Sequence, residues 1–152
     1  MGKQFTIRQA KAADETAVRA CAEDAYQQYV AVLGEYLPPM AADFASLIAS
    51  GFVHVAVGAQ AEVVGYVVFF HRDDHVFLEN VAVRSNATGR GIGKGLIMFC
   101  EREARLSGAG SVKLYTNEKM TENLLIYPHL GYREIERKTE DGFHRVFFEK
   151  PL

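Results

Sequence analysis

The chain has 152 residues and a formal net charge of -2 at pH 7. Hydrophobic residues make up 49% of it and charged residues 24%, which is typical of a globular protein and excludes a disordered or fibrous one. This length suits one domain spanning residues 1–152, and the lack of a basic surplus argues against a nucleic-acid-binding protein.

The two cysteines and the hydropathy pattern bear on the compartment. Cys21 and Cys100 are far apart in the sequence and have neither metal-ligand nor redox-pair spacing, so we interpret both as small core residues in a reducing compartment. No stretch approaches the ~18 apolar residues of a membrane span, and residues 1–10 lack the apolar core of a signal peptide. We therefore expect a cytoplasmic protein that is not bound to a membrane.

The N-terminal third is predicted to contain one strand and two helices. Alternation predicts a short strand around residues 5–7, and Asp14 is a candidate N-cap for the helix that follows. Pro38 and Pro39 predict a loop, because proline disrupts a helix interior. A shorter second helix is predicted over about residues 41–50. The first helix is indicated by apolar residues at helical spacing, namely Val18, Ala22, Ala25, Tyr29 and Leu33.

The rest of the chain alternates between strand and helix patterns. The strand predicted over residues 75–83 ends in a nearly continuous run of apolar residues. Such a run suggests that this end of the strand is buried on both faces of the sheet. The order β-α-α-β-β-β-α-β-α-β-β predicts an α/β fold with a twisted, largely antiparallel sheet and one βαβ insertion. The predicted segments are residues 53–57, 63–70, 75–83, 92–107, 112–116, 118–130, 132–137 and 143–149.

A glycine-rich segment lies between the strand over residues 75–83 and the following helix. Glycine tolerates positive φ and lets the backbone approach a ligand closely. The first amides of a helix lack intrahelical acceptors, and the helix dipole adds partial positive charge there. The pattern therefore predicts a phosphate or pyrophosphate site. The four glycines within seven residues are Gly89, Gly91, Gly93 and Gly95.

Two common nucleotide-binding patterns fit this segment poorly. A Walker loop needs Ser or Thr after its lysine, whereas Lys94 is followed by Gly95. A dinucleotide fingerprint beginning at Gly89 would place its third glycine on Lys94, and the expected acidic residue about twenty positions on is missing.

The segment resembles the acetyl-coenzyme A loop of the GNAT superfamily of N-acetyltransferases. That family has a strand ending Val-x-Val, then Gln/Arg-x-x-Gly-x-Gly/Ala at the start of a helix. Here residues 81–83 read Val-Ala-Val, and Gly91 and Gly93 match the paired glycines, with Thr88 departing from the pattern at the Gln/Arg position. A second register, starting at Arg90, satisfies the pattern literally, and we prefer the first.

A second segment strengthens the resemblance. Residues 127–132, Tyr-Pro-His-Leu-Gly-Tyr, are similar to the family signature Tyr-x-x-Leu-Gly-Phe/Tyr that ends an Asn-bearing helix. The resemblance covers nearly the whole chain. It implies a single-domain sandwich with a mixed, mostly antiparallel sheet of about seven strands, helices on both faces, and a splayed central pair of parallel strands.

The resemblance also implies which residues bind acetyl-CoA. The backbone of Val81, Ala82 and Val83 would pair with the pantetheine arm, and residues 89–94 would hold the pyrophosphate. Asn117 and Asn123 are candidates for hydrogen bonds to the cofactor, and no metal is expected. The loop residues in this set are Thr88, Gly89, Arg90, Gly91, Ile92, Gly93 and Lys94.

The implied chemistry is direct attack of an amine on the thioester. Tyr127 matches the tyrosine that protonates the leaving thiolate in the family, with packing under the sheet as the alternative interpretation. Glu79 lies where some members carry a glutamate that acts as base, directly or through water. A structural ion pair or a solvent-facing position remains an alternative for Glu79. A backbone amide near Val81 could stabilise the oxyanion.

The acceptor site in such proteins comes largely from the N-terminal helices. This region contains an aromatic set of three residues, Tyr26, Tyr29 and Tyr36. Glu35 adds a negative charge, and an aromatic, weakly acidic set of this kind suits a cationic amine. The sequence does not distinguish a small-molecule amine from a peptide or protein amine. A homodimer formed through the C-terminal strands is common in the family and stays open here.

Three other functions remain as alternatives. The first is an acetyl-CoA-binding sensor without turnover, which the departure at Thr88 keeps open and Tyr127 argues against. The second is transfer of a longer acyl group on the same scaffold. The third, a structural or nucleic-acid-binding α/β domain, is disfavoured by the acidic charge balance.

Overall fold

A computed structural model describes residues 4–33 and 38–152. Within these residues, seven strands and four α-helices follow one another in the predicted order. The strands are β1 (Phe5–Gln9), β2 (Val53–Gly58), β3 (Val63–Arg72), β4 (His75–Val83), β5 (Ser111–Asn117), β6 (Arg133–Glu140) and β7 (Phe143–Pro151). The helices are α1 (Glu15–Leu33), α2 (Phe44–Ala49), α3 (Ile92–Leu106) and α4 (Thr121–His129).

The strands form a seven-stranded sheet in the order β1-β2-β3-β4-β5-β7-β6. The β4–β5 pair is parallel, and the pairs β1–β2, β2–β3, β5–β7 and β6–β7 are antiparallel. This confirms the predicted mixed α/β sheet with a parallel pair. The chain divides into unit 1, Met1–Phe69 with Asn80–Cys100, and unit 2, Phe70–Glu79 with Glu101–Leu152.

In unit 1, helices pack on both faces of the sheet. Adjacent residues of a strand point to opposite faces of the sheet, so Gly65 and Tyr66 of β3 lie on opposite faces. A Cβ on Gly65 would lie 3.2 Å from Leu96 of α3, whereas the Tyr66 ring meets Phe44 of α2 at 5.5 Å between centroids. The missing side chain at Gly65 therefore lets α3 lie close to the sheet, while α2 covers the other face.

The start of α1 differs from the predicted capping arrangement. Asp14 directly precedes the helix, as predicted. Its carboxylate, however, accepts hydrogen bonds from the Lys11 amide at 2.7 Å and from the Arg8 guanidinium at 2.7 and 3.1 Å. Asp14 thus closes the 3-10 turn Ala12–Asp14 and links it to β1. Its carboxylate is used in this way because a bidentate arginine competes well for a carboxylate.

The predicted loop at Pro38 and Pro39 is wrong in part. Residues Pro38–Ala41 form a short 3-10 helix, and α2 then begins at Phe44. Proline fits the first turn of a helix because its missing N–H has no intrahelical acceptor there. Asp43 caps α2 by accepting a hydrogen bond from the Ser46 amide at 3.1 Å.

Unit 2 contains the parallel pair and the C-terminal hairpin. The β4–β5 register runs from His75↔Ser111 to Leu78↔Leu114 and ends there, although β4 continues to Val83 and β5 to Asn117. Strand β5 pairs along its whole length with residues 145–151 of β7, and the β6–β7 hairpin turns at residues 141–142.

The cysteines and the helices bear on two further expectations. Cys21 and Cys100 are both fully buried, as predicted. Burial raises the pKa of Cys21 to about 12.

Within residues 4–33 and 38–152, none of the helices has both the length and the apolar character needed to cross a bilayer.

Candidate functional site

The segment after β4 is fixed to its neighbours in unit 1 by backbone and side-chain hydrogen bonds. The Arg84 amide donates to the Val64 carbonyl at 2.8 Å, and its guanidinium donates to the Val63 carbonyl at 2.9 Å. Ser85 donates to the Asp24 carboxylate through its amide at 2.7 Å and its hydroxyl at 3.0 Å. The loop therefore leaves β4 at a defined angle before the glycine-rich segment begins.

The glycine-rich segment adopts a backbone that requires glycine. Gly89 and Gly91 have φ of +81° and +78°, in the left-handed region that side chains disfavour. A Cβ at either position would meet no atom within 4 Å, so the space beside the backbone is open. The segment thus presents an uncovered backbone surface at the start of α3.

The first turn of α3 adds hydrogen-bond donors. The Gly95 amide donates to the Gly91 carbonyl at 2.9 Å, so Gly91 occupies the N-cap position. The amides of the next three residues, 92–94, precede this bond and have no acceptor within the helix. Arg90 and Lys94 are exposed and add positive charge. Open backbone, helix amides and two cations together fit a pyrophosphate group.

Thr88 has a local hydrogen-bond partner. Its hydroxyl donates to the Ser85 carbonyl at 3.2 Å and closes the short 3-10 turn Ser85–Ala87. This residue departs from the family pattern, and its side chain contributes to the loop conformation.

The last residues of β4 bear on the predicted pantetheine contact. Because the β4–β5 register ends at Leu78↔Leu114, residues 81–83 are not part of that ladder. Ala82 is buried, and Val81 and Val83 are half-buried. An extended backbone with ladder positions left open can bind an extended ligand as an added strand does.

In unit 2, Glu79 lies among aromatic and charged residues. Its side chain reaches solvent, but surrounding protein atoms partly desolvate the carboxylate and raise its pKa above the ordinary 4.5, an effect that the Arg72 charge opposes. Burial likewise raises the pKa of Tyr115, whose ring lies 5.8 Å from Phe77. A carboxyl with a raised pKa is suited to accept a proton.

Tyr127 lies in the packed interface between α4 and the C-terminal strands. It is 7% exposed, and its ring centroid lies 5.7 Å from both Tyr132 and Phe148. Within the same signature, the Tyr132 hydroxyl donates to the Glu101 carboxylate at 2.8 Å, and Lys150 donates to that carboxylate at 3.0 Å. This segment therefore has a large packing role, and Tyr127 as a proton donor stays a prediction.

The two predicted asparagines also have local partners in unit 2. The Asn117 side-chain oxygen accepts from the Lys119 amide at 2.9 Å and shapes the turn into α4. The Asn123 amide donates to the Thr116 hydroxyl at 3.1 Å. Both contacts stabilise the β5–α4 connection, and the predicted bonds of these residues to a cofactor remain predictions.

The predicted acceptor residues lie on α1 or just after it. Tyr26 and Tyr29 are half-buried, with ring centroids 6.4 Å apart. The Tyr26 hydroxyl donates to the Asn80 side-chain oxygen at 2.6 Å and lies 3.3 Å from the Val81 carbonyl. Tyr36 and Glu35 lie outside the described residues.

Sequence reasoning missed Asn80 and Tyr66. Asn80 is 8% exposed, and its amide donates to the Tyr66 hydroxyl at 2.6 Å. The available signal was a polar residue inside the apolar end of β4, since a buried amide needs hydrogen-bond partners. In the described parts of the chain, no three His, Cys, Asp or Glu side chains are arranged to hold a metal ion.

Comparison with known proteins identifies the family of the chain. A profile described as the Acetyltransferase (GNAT) family matches residues 17–132, which is most of the chain. No curated protein matches the sequence.

Solved structures are similar over nearly the full length. The PaiA N-acetyltransferase from Thermoplasma acidophilum, in complex with coenzyme A, has a TM-score of 0.82 at 17% identity and 100% coverage of both chains. The ribosomal-protein-S18-alanine N-acetyltransferase from Escherichia coli has a TM-score of 0.78 at 18% identity, covering 97% of this chain and 94% of that one. YncA from Salmonella typhimurium, with its cofactor acetyl-CoA, has a TM-score of 0.72 at 20% identity, with coverage of 97% and 94%. The TM-scores and coverages show the fold. The profile match, together with the glycine-rich segment and the tyrosine signature, shows that the chain belongs to the acetyltransferase (GNAT) family.

Proposed function

We propose that this protein is an acetyl-CoA-dependent N-acetyltransferase that acts on a primary amine. The observation that carries the proposal is the start of α3, where Gly89 and Gly91 adopt positive φ and leave their backbone uncovered beside the helix amides. A tight turn between a strand and a helix does not by itself need this open surface or the exposed Arg90 and Lys94 beside it.

The donor would be bound mainly by backbone groups. The amides of residues 92–94 would donate to the pyrophosphate, with Arg90 and Lys94 balancing its charge. The backbone of Val81, Ala82 and Val83 would pair with the pantetheine arm, since this part of β4 is outside the ladder with β5. Asn117 and Asn123 remain proposed cofactor contacts.

The reaction requires few groups from the protein. Bound acetyl-CoA supplies an acetyl thioester. Glu79 would accept a proton from the ammonium form of the acceptor, directly or through water, and its raised pKa supports this role. The free amine would then form a bond to the acetyl carbon, with the Val81 amide donating a hydrogen bond to the thioester oxygen, and the carbon–sulfur bond would break. Tyr127 would donate a proton to the leaving sulfur, and the second proton lost by the nitrogen would restore the tyrosine through solvent.

The acceptor is proposed only as a primary amine of a small molecule or a peptide. One structural neighbour is named for acetylating an alanine of a ribosomal protein and another is named a nourseothricin acetyltransferase, so the fold does not select between these classes. Tyr26, Tyr29 and Tyr36 are retained as proposed acceptor-side residues. We also propose one domain over residues 1–152, a cytoplasmic location, no nucleic-acid or membrane partner, and a homodimer as an assembly to be tested.

Thermal unfolding with and without acetyl-CoA tests the proposal first. Ligand at 100 times its Kd should add about 2.7 kcal/mol to the free energy of unfolding. For a domain of this size that corresponds to an increase in Tm of about 5–10 °C. Acetate and a dinucleotide serve as controls, and neither should shift Tm.

A shift with acetyl-CoA alone would be followed by an amine screen for release of the CoA thiol. No shift at millimolar acetyl-CoA would contradict the proposed donor site. A shift without thiol release from any amine would favour the sensor function instead.

A further inference from the structure

A buried hydrogen-bond network connects α1, β3 and β4 in unit 1. The Tyr26 hydroxyl donates to the Asn80 side-chain oxygen at 2.6 Å, and the Asn80 amide donates to the Tyr66 hydroxyl at 2.6 Å. Tyr66 is fully buried, and burial raises its pKa well above that of an ordinary tyrosine. Tyr66 is therefore neutral near pH 7, Asn80 has no ionisable group, and both act through hydrogen bonds.

The network fixes the orientation of the Asn80 side chain. A tyrosine hydroxyl has one proton, and Tyr26 directs it mainly to the Asn80 oxygen at 2.6 Å, with the Val81 carbonyl as a second, weaker acceptor at 3.3 Å. The Asn80 amide nitrogen is then turned toward Tyr66. Because a buried amide with a missing partner is costly, β4 is held at this residue in one position relative to α1.

The same hydroxyl also reaches the main chain of β4. The Tyr26 oxygen lies 3.3 Å from the Val81 carbonyl oxygen, the residue after Asn80. Two residues along α1, the Asp24 carboxylate accepts from the amide and hydroxyl of Ser85 at 2.7 and 3.0 Å. Helix α1 thus contacts both ends of the segment formed by residues 81–85.

This segment has support from β3 on one side, since the two strands are hydrogen-bonded neighbours in the sheet. On its other side the β4–β5 ladder ends at Leu78, so residues 81–83 lack that second source of alignment. In the proposed function, the backbone of the same residues binds the donor. A strand that must present its own N–H and C=O groups to a ligand has to be held from another direction.

We propose that Tyr26, assisted by Asp24, is a positioning residue that sets the backbone of residues 81–85 for donor binding. The role rests on the proposed function, and it differs from the acceptor contact that the sequence predicts for Tyr26. Tyr26 would influence the donor through Asn80 and the Val81 carbonyl, without contacting it.

The chain offers a matched control in Tyr66. Tyr26→Phe and Tyr66→Phe each remove one hydroxyl from the same asparagine, so each leaves one polar atom of Asn80 unsatisfied and should lower Tm similarly. Only Tyr26 also contacts the Val81 carbonyl. We expect Tyr26→Phe to raise the Kd for coenzyme A by about 2- to 10-fold more than Tyr66→Phe, measured by calorimetry.

Amide hydrogen exchange of the ligand-free protein provides a second measurement. In Tyr26→Phe, residues 81–83 should exchange faster than in Tyr66→Phe, whereas exchange in β5 should be equal in the two variants. If Tyr26→Phe does not fold, Asp24→Ala tests the other contact, with Glu23→Ala as its control because both side chains are exposed on α1.

The outcomes separate this proposal from the proposed function. If the native protein binds no coenzyme A, the proposed function fails, and the exchange measurement still decides whether Tyr26 orders residues 81–83. Equal Kd and equal exchange in the Tyr26 and Tyr66 variants would overturn the positioning role. Faster exchange at residues 81–83 together with weaker binding in Tyr26→Phe supports it.

Discussion

Units 1 and 2 differ in the kind of chemical group that they offer. In unit 1, the candidate groups are backbone amides and carbonyls at the end of β4 and the start of α3, exposed because Gly89 and Gly91 carry no side chain. In unit 2, the candidate groups are side chains. They are Glu79, whose pKa is raised by its surroundings, and Tyr127, which is largely buried.

This difference suggests a division between binding and chemistry. Backbone donors are insensitive to pH and suit a ligand with many acceptor oxygens, whereas proton transfer needs titratable side chains. Variants of Glu79 and Tyr127 in unit 2 should therefore change turnover with little effect on donor affinity, and variants of the glycine-rich segment in unit 1 should do the reverse. The following predictions test that division.

The largest effect is expected for Glu79→Gln. Removing a general base should lower the acetylation rate at neutral pH by about 10²- to 10⁴-fold. In the native protein the rate should rise with pH through the Glu79 pKa, which desolvation raises above the ordinary 4.5, and this rise should be lost in the variant. Initial rates measured against pH check both points.

The same variant has a stability signature of defined sign. Because the pKa of Glu79 is higher in the folded than in the unfolded state, its stabilising contribution is present below the unfolded pKa and lost as pH rises through the folded pKa. Glu79→Gln should thus become more stable relative to the native protein as pH rises. An unchanged rate and pH profile would remove Glu79 from the reaction.

A loss of about 10²-fold in kcat is expected for Tyr127→Phe, because the proposed proton donor to sulfur is removed while the ring packing is kept. Tyr132→Phe is the control. It removes the 2.8 Å bond to Glu101, which should lower the free energy of unfolding by about 1–3 kcal/mol without lowering kcat at a temperature where the protein stays folded. Equal kcat in native protein and Tyr127→Phe would assign Tyr127 to packing.

The smallest effect is expected for Gly91→Ala, which acts on binding. A Cβ at φ +78° costs about 1–2 kcal/mol, so the backbone should shift and the Kd for acetyl-CoA should rise by about tenfold. Gly142→Ala introduces the same kind of strain at φ +81° in the β6–β7 turn, also with open space around it. Weaker binding in both variants to the same degree would break the proposed division between the units.

Local patterns predicted most of the fold. The bounds of β4, His75–Val83, agree with the alternation and apolar run in the sequence, and α3 ends within one residue of its predicted end. Helix α4 begins at Thr121, three residues after its predicted start, because Asn117 uses its side-chain oxygen to form a turn with Lys119. Such side-chain turns compete with helix formation and are hard to foresee from periodicity.

The site was predictable only in part. Positive φ at Gly89 and Gly91 follows from residue type and position, so the donor loop could be inferred directly. The Tyr26–Asn80 bond joins residues 54 positions apart, and no local pattern indicates such a pair. The raised pKa of Glu79 depends on packing around it, which the sequence indicates only as an apolar neighbourhood.

The buried cysteines have a practical consequence for measuring this reaction. Colorimetric thiol reagents react with thiolates, and Cys21, fully buried with a pKa of about 12, stays protonated and out of reach in the folded protein. Cys100 is shielded by the same depth of packing. Colour that develops during turnover would therefore report coenzyme A alone, and a rising blank without acetyl-CoA would signal that the protein is unfolding.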